Sequence, residues 1–159
     1  MPGLRSSLTI RMADSGDLPF VCDLSRRVFR RYGPYEEILP RWFISGVSMV
    51  VLAETRRGPV GFAMMARMAH QGEGVGTAEI VAIAVEPVRQ GQGVGHALLD
   101  ALEKKAREAS IRRLILHTAT DNMAARALFS LFGFRVVETR KGFYPEGQDA
   151  LMMFKMLGG

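Results

Sequence analysis

Apolar positions along this chain change their spacing several times, and each change marks an element. Leu8–Met12 alternates as a short strand. Asp14 or Ser15 then caps a helix that carries Leu18, Val21, Leu24, Val28 and Phe29 at helical spacing. Gly33-Pro34 breaks that helix, and a short second one follows with Ile38, Leu39, Trp42 and Phe43. Ser48–Glu54 and Val60–His70 read as two strands about a hairpin turn, Arg56-Arg57-Gly58-Pro59. Gln71–Gly76 is a second, glycine-rich turn, and Thr77–Val85 is a buried strand.

A longer helix then places Leu98, Leu99, Leu102, Ala106 and Ala109 on one face. Its other face carries Glu103 with Arg107 and Lys104 with Glu108, each spaced for an i,i+4 ion pair. Leu114–Thr118 is the next strand. Asp121 or Asn122 caps a last helix that stops at Gly133, an expected left-handed residue. Phe134–Thr139 and Gln148–Leu157 close the chain as two strands. That order predicts an α/β (α+β) fold on a mixed sheet rather than a regular doubly wound one. The 159 residues fit one domain, 1–159, with no repeat or linker.

Composition narrows the class. With 48% apolar and 23% charged residues the chain packs a core, which excludes a disordered protein. Ile80–Val85, among the longest apolar runs, is far too short to span a bilayer, so no membrane association is expected. The first residues lack a secretory pattern, and Cys22 has no partner cysteine, so a cytoplasmic location is expected. Twenty-one Lys and Arg against sixteen Asp and Glu leave a net charge of +5. The excess is spread over Arg26, Arg27, Arg30, Arg31, Arg56, Arg57, Lys104, Lys105, Arg112 and Arg113. It reads as solvated faces, the alternative being attraction to a polyanionic ligand or an acidic or ribosomal partner. No basic stripe interleaves with aromatics, so no direct nucleic-acid contact is expected. Ten methionines and Trp42 read as core rather than as the lining of a groove.

The chemistry concentrates in Val81–Asp100, VAIAVEPVRQGQGVGHALLD. An apolar strand enters a proline turn, then a three-glycine loop, then an amphipathic helix. Such a chain points backbone N–H groups and a helix N-terminus at one anion, well suited to a pyrophosphate. A dinucleotide fingerprint fails, because the third glycine falls on His96 or Leu98 and Arg113 stands near the place of the ribose-binding acid. A Walker loop fails for want of Gly-Lys-Ser/Thr.

What remains is Gln90-x-x-Gly93-x-Gly95. It resembles the acetyl-CoA loop of the GNAT superfamily of N-acetyltransferases, whose usual pattern is Arg/Gln-x-x-Gly-x-Gly/Ala. Ile83-Ala84-Val85-x-Pro87 before it and Ala97-Leu98-Leu99 after it match as well. Asn122-x-Ala124-Ala125-x-x-Leu128-Phe129-x-x-Phe132-Gly133-Phe134 is similar to the family's second signature. The resemblance covers at least residues 48–157. It implies splayed central strands with helices on both faces, and direct acetyl transfer from acetyl-CoA to an amine without an acyl-enzyme. It also implies a cofactor site. Ile83, Ala84 and Val85 would lie along the pantetheine, and the amides of Gly91, Gln92, Gly93, Val94, Gly95 and His96, behind Gln90, would hold the pyrophosphate. Asn122, Ala125 and Phe129 would contact the cofactor arm. No metal is implied.

The attacking amine must be neutral. A lysine amine near pKa 10.4 rarely is at neutral pH, whereas an α-amino group near 7.7–8.0 is neutral about a tenth of the time. A base helps both. Glu79, near the start of the buried strand, resembles the glutamate of histone-type members; otherwise it is a strand-end charge reaching water. His117, five residues before Asn122, looks like the basic residue of protein N-terminal acetyltransferases; otherwise it is a satisfied core histidine. The other histidines, His70 and His96, carry less of the pattern, although the His96 amide belongs to the loop.

Phe143-Tyr144-Pro145 and Gln148-Asp149-Ala150 are similar to the hairpin and strand with which N-terminal acetyltransferases, the ribosomal-protein alanine type among them, grip a peptide. Tyr144 keeps one of two expected hydroxyls and Phe143 loses the other. Two departures stand out. Leu116-His117-Thr118-Ala119 replaces Leu-Glu-Val-Arg of the ribosomal enzyme, and Phe129 occupies the place of a tyrosine that protonates the leaving thiolate. Tyr144 or water could serve instead, or the thiolate leaves unprotonated. The expected acceptor is therefore a protein or peptide N-terminal amine. The rivals are a small amine and, in view of Phe129, a non-catalytic acyl-CoA-binding module. The oligomeric state stays open, a homodimer included.

Overall fold

The computed structural model describes residues 7–68 and 76–158. Its elements are β1 (Thr9–Met12), α1 (Leu18–Phe29), α2 (Tyr35–Ser45), β2 (Ser48–Thr55), β3 (Gly58–Arg67), β4 (Thr77–Val85), α3 (Val94–Glu108), β5 (Arg113–Ala119), α4 (Met123–Leu131), β6 (Arg135–Arg140) and β7 (Ala150–Met156). Seven strands form one sheet in the order β1-β2-β3-β4-β5-β7-β6. All neighbours run antiparallel except β4 and β5, whose connection through α3 makes them parallel. The mixed α+β sheet expected from the element order is present. His70 and residues 71–75 of the second turn lie outside the described residues.

Each face of the sheet packs its own helices. On one face Leu98, Leu99, Leu102 and Ala106 of α3 and Phe129 of α4 bury against Ala63, Ala78, Ile80, Leu114 and Leu116. On the other, Val21 and Leu24 of α1 and Leu39 of α2 bury against Val50, Phe62, Met64, Ala82 and Ala84. Asp14 starts α1 through a short 3-10 turn. Its carboxylate accepts the Gly16 N–H, and Asp17 accepts the Asp14 N–H in return. Arg11 locks this cap with two hydrogen bonds to Asp17, at 2.8 and 2.9 Å. Asn122, rather than Asp121, caps α4 by accepting the Ala125 N–H. Gly133 is left-handed at φ 90°, as the stop after α4 requires.

Three expectations are corrected. Gly58-Pro59 belongs to β3, where a bulge between Ala53 and Glu54 seats Pro59. Glu103 does not pair with Arg107: it is buried and receives a 2.7 Å hydrogen bond from Lys155, while Arg107 donates to the Gly158 carbonyl. On that helix face the pair observed is Lys105–Glu108, at i,i+3. Trp42 is not core; it is 37% exposed.

Candidate active site

The site begins with a slip in β4. Met64 pairs with Ala82 and Met65 with Ile80, so Val81 is an extra residue bulged out of the ladder. Before the bulge Ala78 and Ile80 face α3; beyond it Ile83 and Val85 do so, while Val81 and Ala82 both turn toward α1 and α2. The bend also ends the parallel pairing. β4 and β5 are joined only over Thr77–Ile80 and Arg113–Leu116, after which His117–Ala119 stay with β7. The two central strands therefore splay.

A cavity of about 230 Å³ fills the splay and crosses the sheet. On the α4 side it is lined by Ile83, Ala119, Asn122, Ala125 and Phe129. On the other side lie Phe29 of α1, Ile38, Leu39 and Trp42 of α2, and the ring of Tyr35. Glu79, His117, Phe143 and Tyr144 stand between the two ends. Thus the three residues picked out as catalytic from sequence, His117, Glu79 and Tyr144, converge on one space. Of the cofactor set, Ile83, Asn122, Ala125 and Phe129 line it as well. Ala84 instead packs among the residues under α1, and Val85 packs toward α3.

His117 is held on two sides. Its Nδ1 lies 3.3 Å from Oε1 of Glu79, and its ring stacks on Phe143 with centroids 4.4 Å apart. Its Nε2 is buried without a hydrogen-bond partner among the described residues. With the Nδ1 proton directed to the carboxylate, Nε2 carries the lone pair.

The three tyrosines of the chain, Tyr32, Tyr35 and Tyr144, all line the cavity. Burial raises the pKa of each phenol. At Tyr144 the neighbouring Tyr35, Tyr32 and Asp121 push further the same way, while at Tyr32 the charge of Arg31 opposes burial. All three remain neutral hydroxyls at working pH.

The wall around Tyr144 is assembled from distant segments. The tip between β6 and β7 docks on the loop joining α1 and α2: Glu146 donates its N–H to the Tyr32 carbonyl, and Gln148 donates its side-chain amide to the Arg31 carbonyl. Gly33 sits so close to Pro145 that a Cβ there would meet its ring carbon at 2.7 Å. The end of α1 and the turn after it reach both lips of the splay, Arg27 pairing with Glu86 after β4 and Arg31 with Asp121 before α4. So two of the arginines read as solvated are tied down.

At the outer end of β4 the glycine loop opens α3. Gly91 and Gly93 are left-handed, at φ 80° and 87°. A Cβ on Gly95 would press on Leu128 at 3.2 Å, so glycine there lets α3 approach α4. The Gln90 and Gln92 amides turn inward to the carbonyls of Pro87 and Arg89. The first-turn amides of α3, at Val94, Gly95 and His96, have no preceding-turn carbonyl to bond and point outward. With no side-chain cap on Gly93, this end of α3 is built to receive an anion. Among the described residues no group of three or more His, Cys, Asp or Glu side chains is placed to hold a metal ion. No described helix is long and apolar enough to cross a membrane.

A parallel pair splayed by a bulge, with a glycine loop at one end, defines a class of acyltransferase folds. The acetyltransferase (GNAT) family pattern matches residues 18–134, and the chain belongs to that family, whose co-substrate is acetyl-CoA. Among curated relatives, a putative [ribosomal protein bS18]-alanine N-acetyltransferase of Bacillus subtilis is 35% identical over 78 residues, 48% of this chain and 52% of that protein. The chain spans about half the length of the curated relatives it matches. Among solved structures, the ribosomal-protein-S18-alanine N-acetyltransferase of Escherichia coli superposes with TM-score 0.77 at 25% identity, covering 96% of this chain and 95% of that one. Arabidopsis thaliana NAA60 in complex with acetyl-CoA shares the fold, with TM-score 0.83 at 18% identity over 96% of this chain and 100% of the other.

Sequence reasoning missed Phe29, Tyr32, Tyr35 and Ile38 as site residues, and placed Phe143 in the peptide-gripping hairpin without its stack on His117. They lie on separate elements, and a helical spacing such as Ile38–Trp42 reads the same whether the face meets core or ligand.

Proposed function

We infer that this protein transfers acetyl from acetyl-CoA to the N-terminal amine of a protein or peptide. The observation that carries the reading is His117. Its Nε2 is buried and unpartnered against the cavity where the strands splay, while Glu79 occupies its other nitrogen. The residues present fit the cofactor: glycines that free the loop, an uncapped helix N-terminus, and strand edges left unpaired beyond Ile80. Bound there, acetyl-CoA would supply an activated thioester. The first-turn amides of α3 would hold its pyrophosphate, and Ile83 would lie along its arm.

On the opposite side of the sheet the acceptor amine would reach His117. His117 takes one proton at Nε2 as the new N–C bond forms and the C–S bond breaks, and the thiolate carries away the bonding pair. Glu79 holds the ring in the tautomer that exposes this lone pair and stabilises the imidazolium that results. Tyr144 stays protonated and offers a hydrogen bond; Phe129, without a hydroxyl, offers none.

An α-amine suits this site because it is neutral far more often than a lysine amine. The relatives named for alanine N-acetylation support the same acceptor class. Release of coenzyme A should be measured with acetyl-CoA against N-terminal peptides, the same peptides blocked at the α-amine, lysine peptides and small amines. Turnover requiring a free peptide α-amine is expected. Turnover with small amines alone would refute the reading, as would tight cofactor binding with no turnover.

A further inference from the structure

Resting on the reading just given, we propose that the first residue of the acceptor is large and apolar (methionine, leucine or phenylalanine) rather than alanine or serine. The α1–α2 end of the cavity is lined by large apolar side chains. Phe29, Ile38, Leu39, Trp42 and Tyr35 form its sides, and Phe143 closes it beside His117. An amine delivered to Nε2 there brings its own α-carbon to the centre of this chamber. A methyl group would leave most of the aromatic and aliphatic surface unmatched. A methionine, leucine or phenylalanine side chain would cover it and leave water at the same time.

Charge points the same way. Glu79 is the one carboxylate among the described lining residues, and it is engaged with His117. Among the described residues no lysine or arginine lines the space. The neighbouring acids outside it, Glu86 and Asp121, are held by Arg27 and Arg31. A first residue with a charged side chain would therefore be buried without a counter-ion, and a polyamine would strand its second ammonium. The hydroxyls of Tyr35 and Tyr144 remain for the peptide backbone, that of Tyr32 being engaged with Asp121.

The test uses the full chain, acetyl-CoA and peptides identical except for Met, Leu, Phe, Ala, Ser, Lys or Asp at the first position. A kcat/KM about tenfold or more higher for the best of Met, Leu and Phe than for Ala or Ser is the expected result. Ile38→Trp should fill the chamber and erase that preference, chiefly by raising KM for the large residues. Trp42→Ala, a change at a half-exposed side chain, should weaken the preference without unfolding the protein, as coenzyme A affinity would verify. Equal rates, or a best rate with Ala, Ser or a charged residue, would overturn the proposal while leaving N-terminal acetylation standing. No turnover of any free peptide would overturn both.

Discussion

The imidazole of His117 lies flat on the ring of Phe143, centroids 4.4 Å apart and planes within 13° of parallel. Phe143 comes from the far end of the chain and turns edge-on to Tyr144 at 5.1 Å. The stack fixes the ring plane of His117, while Glu79 fixes its rotation. A ring held in this way has little freedom to lose, which suits the role of base proposed for it.

Replacing His117 by alanine should therefore lower kcat about a hundredfold or more, with coenzyme A affinity unchanged. Glu79→Ala should cost less. If Glu79 acts through His117, the double variant will be no slower than His117→Ala alone. Losses that multiply would make Glu79 an independent base. Phe143→Ala should fall between, near tenfold, and Phe143→Tyr should restore most of it.

At the glycine loop, Gly93→Asp places a carboxylate at the N-terminus of α3, where an anion is meant to sit. Calorimetry should show coenzyme A binding weakened at least about tenfold. Gly93→Ala carries only the strain of a left-handed residue, φ 87°, and separates the two effects. Equal affinities for wild type and Gly93→Asp would move the pyrophosphate elsewhere.

The three tyrosines give an optical readout of the cavity. Because burial raises every one of their pKa values, phenolate absorbance of the native protein should appear only above the free value, about 10. Tyr144→Phe should remove one of three equal increments in amplitude. A phenolate that titrates normally in folded protein would mean that the wall is open to water.

Acid should weaken the cap of α1. The Arg11 guanidinium and the Asp14 N–H hold Asp17 below its ordinary carboxylate pKa. A lowered native pKa stabilises the fold at pH above the unfolded value, and that contribution is lost as the pH falls toward the native one. Urea midpoints should thus fall below about pH 4. Asp17→Asn should flatten this decline and cost about 1–2 kcal/mol at neutral pH, chiefly through the broken cap and ion pair.

The left-handed turns at Gly91 and Gly93 were legible because a glycine spacing is local, whereas the Gln92 amide, expected to face the anion, turns inward to the Arg89 carbonyl. His117 and Glu79 were legible as candidates for the same reason, each lying near a motif, but not as a pair. Their partnership depends on the parallel register that sets Glu79 opposite Ile115. The bulge at Val81 leaves no mark in VAIAV, since two alternating registers of small apolar residues look alike. Glu103 was misread for a related reason. Its helical spacing allows a surface pair, while burial against Lys155 follows from where β7 lies.

The contact of Gln148 with the carbonyl of Arg31 spans 117 residues of sequence. During synthesis the glycine loop, both splayed strands and the α1–α2 side of the cavity are made before Phe143 and Tyr144. A nascent chain at that point has every wall of the cavity except the one that stacks on His117. The cavity is thus completed last, and a stalled or proteolytically clipped product that lacks Phe143 and Tyr144 would leave the ring of His117 without its stack.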